Sequence, residues 1–184
     1  VTPAAIWQAV VLVLAAVTLF WMLGAYNRLV SLRNAVGAAW RTVDELLAAR
    51  AAAVGSLLAA LREPLAGEAA ALDALAAAQA RVADAARTMG DHAVRADAAV
   101  ALGQAEAAFG PAGTRVRALV EAEAVLRDLE AVQAPLAALH ELAPRLAFAR
   151  QAFNDAMQAH NGAIAQWPTR LLARLYGFVP GGTL

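Results

Sequence analysis

Leu29 to Arg62 reads LVSLRNAVGAAWRTVDELLAARAAAVGSLLAALR. Apolar side chains recur at Leu29, Leu32, Val36, Trp40, Val43, Leu47, Val54, Leu57 and Leu61, in steps of three, four and, once, seven residues. Arg50 fills the position inside the step of seven. This is a near-continuous heptad seam, the pattern of helices that pack along their length. No proline or turn cluster interrupts it before Glu63-Pro64, so the spacing predicts a single helix as far as about Arg62.

Upstream the same helix has no reason to stop. Ala4 to Tyr26 reads AAIWQAVVLVLAAVTLFWMLGAY, without a charged residue and with only Gln8 and Thr18 as polar interruptions. A run of about 20 apolar residues is long enough to cross the hydrocarbon core of a bilayer as a helix. Trp7 stands near its start and Phe20, Trp21 and Tyr26 near its end, where amphipathic rings favour the membrane interface. Apolar residues cover every face, which disfavours a buried core helix. A cleaved signal peptide would carry a basic n-region and a shorter apolar stretch. Leu23-Gly24-Ala25 offers no cysteine for lipidation. The expectation is one unbroken helix from residue 4 to about 61. Gly24, Gly37 and Gly55 are isolated within it and cost about 1 kcal/mol each relative to Ala.

The chain therefore divides into a transmembrane anchor over residues 1–26, an antiparallel helical bundle over 27–168 and a short amphipathic segment over 169–184. Arg28, Arg33 and Arg41 follow the apolar run, whereas residues 1–7 carry no charged side chain. Positive flanks tend to stay in the cytoplasm. This places the N-terminus outside and the bundle inside a bacterial inner membrane, with a periplasmic bundle as the alternative.

Composition narrows the class. Fifteen basic and fifteen acidic residues balance to a net charge of zero, which gives no electrostatic basis for nucleic-acid binding. Cysteine is absent, so disulfides, thiolate metal sites and thiol nucleophiles are excluded. All the basic residues are arginine. Beyond residue 26 Ala, Leu, Arg, Glu, Asp and Val dominate, and strong helix formers at this density predict an all-α domain. There is no strand alternation, no Gly-rich phosphate loop and no G-x-S-x-G. His92, His140 and His160 are far apart and form no i, i+4 pair, which reads as surface or bundle-rim histidine rather than metal ligation. No cofactor is expected.

Punctuation by Gly and Pro sets the remaining helices. A second helix fits Glu68 to Met89, with Leu72, Leu75, Gln79, Val82 and Ala86 as its seam. A third piece runs from Ala98 to Phe109 and is expected to stop at Gly110-Pro111-Ala112-Gly113, after which Thr114 caps a helix from Arg115 to Ala134. The last long segment, Pro135 to Trp167, has Leu139, Leu142, Leu146, Phe153, Met157, Ile164 and Trp167 as its seam and Pro144 as a kink. Thr169 then caps a short helix with a broad apolar face, Leu171, Leu172, Leu175, Tyr176 and Phe178, and with Arg170 and Arg174 one turn apart. That composition suits either an interfacial anchor or a lid on the bundle end.

The polar residues on the seams are the candidate site. Arg50 and Arg150 stand where the heptad calls for an apolar side chain, and Asn154 and Asn161, seven apart, share a face. Such residues either fix register, as in coiled coils, or line a ligand or catalytic pocket; no nucleophile–base–acid set stands near them. With Trp167 level with Tyr26, facing residues on the first and last long helices have numbers that add to about 193. Asp44 then lies near Arg150 and Glu141 near Arg50. The membrane-interface set is Trp7, Trp21, Tyr26, Arg28, Arg33, Arg170, Arg174, Tyr176 and Phe178.

Three stretches together resemble the LemA family. The first is Tyr26-Asn27-Arg28-Leu29-Val30 with Leu32-Arg33-Asn34-Ala35-Val36, directly after an apolar helix. The second is Ala39-Trp40 with Asp44, Leu47 and Arg50. The third is Ala149-Arg150-Gln151-Ala152-Phe153-Asn154-Asp155-Ala156, then Asn161, Ile164, Trp167-Pro168 and Tyr176-Gly177-Phe178. The chain departs from the family around Arg50, where a longer basic run is usual, and at His160, where an aromatic is usual. The resemblance implies a membrane-anchored helical bundle and no known catalysis. A non-catalytic scaffold or adaptor is expected, touching membrane lipids and either a membrane or cytoplasmic protein or further copies of itself. A regulatory partner of a membrane protease or quality-control system is the alternative, and an enzyme the remote one.

Overall fold

The computed structural model describes residues 3–91 and 95–184. The first helix, α1, spans Pro3–Leu61 without interruption. Its 59 residues make it about 88 Å long at 1.5 Å per residue. It has two environments. Ile6, Trp7, Leu12, Leu19 and Phe20 are exposed, whereas Leu29, Val36, Val43, Val54 and Leu61 are buried. The seam read from the spacing is the buried stripe, with Leu32 half-buried at its upper end. The exposed part is long and apolar enough to cross a membrane. Among the described residues every regular element is helical.

After α1 the chain turns through Pro64 and a 3-10 turn at Ala66–Glu68 into α2, Ala69–Asp91. Leu72, Leu75, Gln79, Val82 and Ala86 are buried as the spacing requires. The third helix, α3, spans Ala96–Ala122, and here the expectation fails. Gly110-Pro111-Ala112-Gly113 does not end the helix; Pro111 lies inside it. A proline forfeits one i→i−4 bond and crowds the carbonyl four residues back, but Pro111 is on the solvent face and Ala112, Gly113 and Val116 continue the packed stripe. Thr114 is not a cap: its hydroxyl donates back to the Gly110 carbonyl at 3.0 Å, inside the helix. The break falls instead at Glu123, in extended conformation, followed by a single turn, α4, Ala124–Arg127.

The last long helix, α5, spans Glu130–Ala165 and carries both Pro135 and Pro144 within it. It runs antiparallel to α1 in the register read from the sequence. The Trp40 and Phe153 rings meet edge-on with centroids 6.0 Å apart, Leu29 clusters with Ile164, and Arg28 reaches Gln166 at 3.4 Å. Their residue numbers add to 193 or 194. Trp167, expected on the seam, is 81% exposed, because the helix has ended at Ala165.

Helix α6, Thr169–Leu175, folds back against α1 and α5. It has no side-chain cap, so Thr169 does not play that part. Its end is a Schellman turn: the Phe178 N–H donates to the Ala173 carbonyl at 2.9 Å and the Gly177 N–H to Arg174 at 3.4 Å. Gly177 takes φ +71°, which only a residue without Cβ adopts at little cost. Phe178 packs toward Ala173 and Leu29, the apolar contact that accompanies this turn.

Candidate functional site: the gap between α3 and α5

Packing around the bundle is not closed evenly. α1 lies against α5 and α2, and α2 lies against α3, but α3 and α5 scarcely approach one another. What fills the gap between them differs along its length, and every seam residue singled out above except Asp44 and Glu141 stands there.

At the end nearer Tyr26 the gap holds the chain's own tail. Asn161 donates from Nδ2 to the Gly181 carbonyl at 2.9 Å and accepts the Gly181 N–H at Oδ1 at 2.8 Å. Asn154 does the same for Leu184, donating to its carbonyl at 2.8 Å and accepting its N–H at 2.7 Å. The spacing has a physical basis. Seven helical residues span roughly 10.5 Å. Three residues of an extended chain with a three-residue period span about 9 Å and return to the same side. Two asparagines one heptad apart therefore match backbone groups three residues apart. On the α3 side, a Cβ at Gly182 would stand 2.8 Å from the Ala96 Cα and 2.9 Å from the Ala99 Cβ, so only glycine passes at this point.

His160 lies under the tail and is buried, contrary to the surface or rim position expected of it. Its ring faces Phe178 with centroids 6.4 Å apart, and its Nδ1 is buried without a partner. Burial lowers the imidazole pKa from its ordinary value against the opposing pull of the Val179 backbone, and the Arg33 charge adds to the fall. Of the other histidines, His140 is exposed and His92 lies outside the described residues.

Midway along the gap the two seam arginines converge on one carboxylate, and it is neither of those expected. Arg50 forms a two-pronged pair with Glu106 of α3, with Nη1 to Oε2 at 2.9 Å and Nη2 to Oε1. Arg150 Nη2 lies 2.6 Å from Glu106 Oε2 at an angle that leaves it without an aligned hydrogen bond. The Arg50 guanidinium also sits over the Phe109 ring, 4.3 Å from its centre. Asp44 and Glu141 point to solvent. The axial level was read correctly, but both carboxylates face away from the seam, and the third helix supplies the partner. Burial alone would push the Glu106 carboxyl up; Arg50 and Arg150 outweigh it and hold the pKa below the usual carboxylate value. No signal within α3 marked Glu106, because it stands beside Ala105 and Ala107 among other small residues. Beyond it lies a cavity walled by α1, α2, α3 and α5.

The membrane-interface set divides. Trp7, Trp21, Tyr26, Arg28, Arg33, Arg170, Arg174 and Tyr176 are exposed. Phe178 is half-buried and turned inward, 6.2 Å from the Tyr26 ring. Tyr176 packs on Tyr26 with centroids 5.1 Å apart. Helix α6 is two-faced: Leu172 and Ala173 are buried against the bundle, and Leu171 and Leu175 are exposed beside Trp167. The buried face fits the lid reading, and the exposed face carries the apolar side chains on which the interfacial reading rests.

A model of the LemA family matches residues 39–183, which is most of the bundle and all of the gap just described except Leu184. No curated protein matches the chain.

Proposed function

The chain belongs to the LemA family, and on that premise we propose that it is a non-catalytic membrane-anchored scaffold or adaptor, presenting its bundle to a partner protein or to further copies of itself. The apolar part of α1 crosses a bacterial inner membrane once, with the N-terminus outside and the bundle in the cytoplasm. The unbroken passage of α1 from that part into the bundle supports this reading, since it holds the bundle upright on its anchor.

The observation that carries the proposal is Phe148. It is 77% exposed on α5, far from the apolar half of α1, and borders a groove on the outer α1–α5 seam with Glu45, Leu46, Pro144 and Arg145. An aromatic ring displayed between charges of opposite sign is the composition of an interface anchor with a polar rim. The test is co-purification from native membranes in mild detergent, with a photo-crosslinker at position 148. A discrete adduct that is lost in Phe148→Arg supports the role; the absence of any adduct overturns it. If the adduct is a membrane protease, the regulatory reading replaces the scaffold. Protease added outside intact spheroplasts should leave the bundle uncut, and complete digestion would reverse the orientation.

A further inference from the structure

Below Glu106 the α3–α5 gap widens into a cavity of about 310 Å³, at the lower end of the sizes that hold small ligands. Its walls are mostly apolar, with Leu57, Leu139 and Leu146 among them, and Arg50, Arg117 and Arg150 complete the lining. Two of these arginines share the single charge of Glu106. Arg50 is 8% exposed and its Nε is buried without a partner; Arg150 Nη2 is buried without an aligned acceptor. Buried charge left uncompensated is costly. The cluster lacks one negative charge, and the lack is on the side of an apolar cavity.

We propose that this cavity binds a free single-chain carboxylate of medium length, a fatty acid. Its carboxylate lies between Arg50 and Arg150, and its alkyl chain runs along Leu57 and Leu139. A carboxylate supplies acceptors only, and the side chains around the cavity offer donors only. That asymmetry argues against an extended peptide. The neighbouring half of the gap shows what a peptide requires, namely asparagines that both donate and accept. In the cavity a peptide's N–H groups would find no side-chain acceptor, which a buried backbone does not tolerate. Height argues against a lipid still resident in a bilayer. Arg50 is 24 residues along α1 from Tyr26, on the order of 36 Å at 1.5 Å per residue, beyond the reach of a headgroup.

The experiment uses the full chain in nanodiscs of zwitterionic lipid, with thermal unfolding followed by circular dichroism as decanoate is added. Decanoate should raise Tm saturably, by at least about 5 °C at a hundredfold excess over Kd. Decanol should not, and Arg150→Gln should weaken decanoate at least tenfold. Gly113→Leu fills the cavity from α3, where an added Cβ meets nothing within 4 Å; it should fold normally and abolish the decanoate shift. Ala147→Phe serves the same purpose from α5. No shift in the wild type overturns the proposal. So does an equal shift with decanol, which would mean apolar filling alone, or an undiminished shift in both filled variants, which would mean an effect on the bilayer. Stabilisation by phosphatidylglycerol in the nanodisc without decanoate, or by a peptide in place of decanoate, would assign the site to a headgroup or a peptide instead.

Discussion

The Asn154 side-chain amide pairs with both backbone groups of Leu184, donating to the carbonyl and accepting from the N–H across 30 residues of chain. With Asn161 and Gly181 it makes a two-rung attachment that straps the tail over His160 and against α3. A residue that reads as a register device within a helix is, in the folded chain, a clamp on a different segment.

Asn154→Ala and Asn161→Ala should each release the tail. Each loses two hydrogen bonds at roughly 1 kcal/mol apiece. Hydrogen exchange at the Gly181 and Leu184 amides should accelerate in either variant before the bundle itself opens. Gly182→Val should give the same local release by clashing with Ala96 and Ala99. Unchanged protection in all three variants would contradict the strap.

Removing Glu106 should cost more than removing any other carboxylate of the bundle named here. Glu106→Ala leaves two guanidiniums without their counter-charge at side-chain exposures of 10% and 30%, a loss of about 3–5 kcal/mol for a buried pair. Asp44→Ala and Glu141→Ala, on exposed side chains, should change stability by less than about 0.5 kcal/mol. Replacing Arg50 and Glu106 together by Met and Leu should be less damaging than the sum of the single changes. Denaturant unfolding of these variants, together with the single changes Arg50→Met and Glu106→Leu, decides it.

Acid should act through two groups in separate windows. The Glu106 pKa is lowered in the fold. Its contribution is therefore complete above the unfolded carboxylate value, about 4.3, and is lost as pH falls through the lower folded value. Glu106→Gln should remove that part of the acid limb. The His160 pKa is also lowered, from the ordinary imidazole value of 6.5. The neutral ring is the one that fits, so its contribution is present above about pH 6.5 and is lost as pH falls below it. His160→Phe should flatten unfolding free energy between about pH 7 and pH 5; an unaltered slope there would exclude His160 as the titrating group.

Pro111 tests the continuity of α3. A helix interior carries proline at a cost of about 3 kcal/mol relative to alanine, so Pro111→Ala should stabilise the chain by roughly 1–3 kcal/mol. A loop at this point would gain nothing and would lose the rigidity that proline confers. Thermal unfolding separates the two outcomes by sign.

The long helix, its buried stripe and the α1–α5 register were legible in the chain itself. Each depends on the period of a helix and on the absence of breakers between residues 4 and 61, which neighbouring residues determine among themselves. Once two helices are antiparallel and one pair of levels is known, every other level follows, as Trp40 against Phe153 shows. The partner of Arg50 and Arg150 was not legible. Axial level says nothing of rotation about the helix axis, and the gap between two helices is closed by whatever a third helix or the tail places there. Glu106 and Leu184 have neighbours in sequence that carry no mark of those roles. The breaker signal at Gly110-Pro111 misled for the same reason: local propensity amounts to a few kcal/mol, and the packing of α3 against α2, with Val116 and Val120 in the core cluster they share with Leu72 and Leu75, outweighs it. Periodicity determined which elements form and how two of them align; only the tertiary structure decided which charges meet, where the tail lies and which histidine is buried, because those depend on the mutual rotation of helices far apart in the chain.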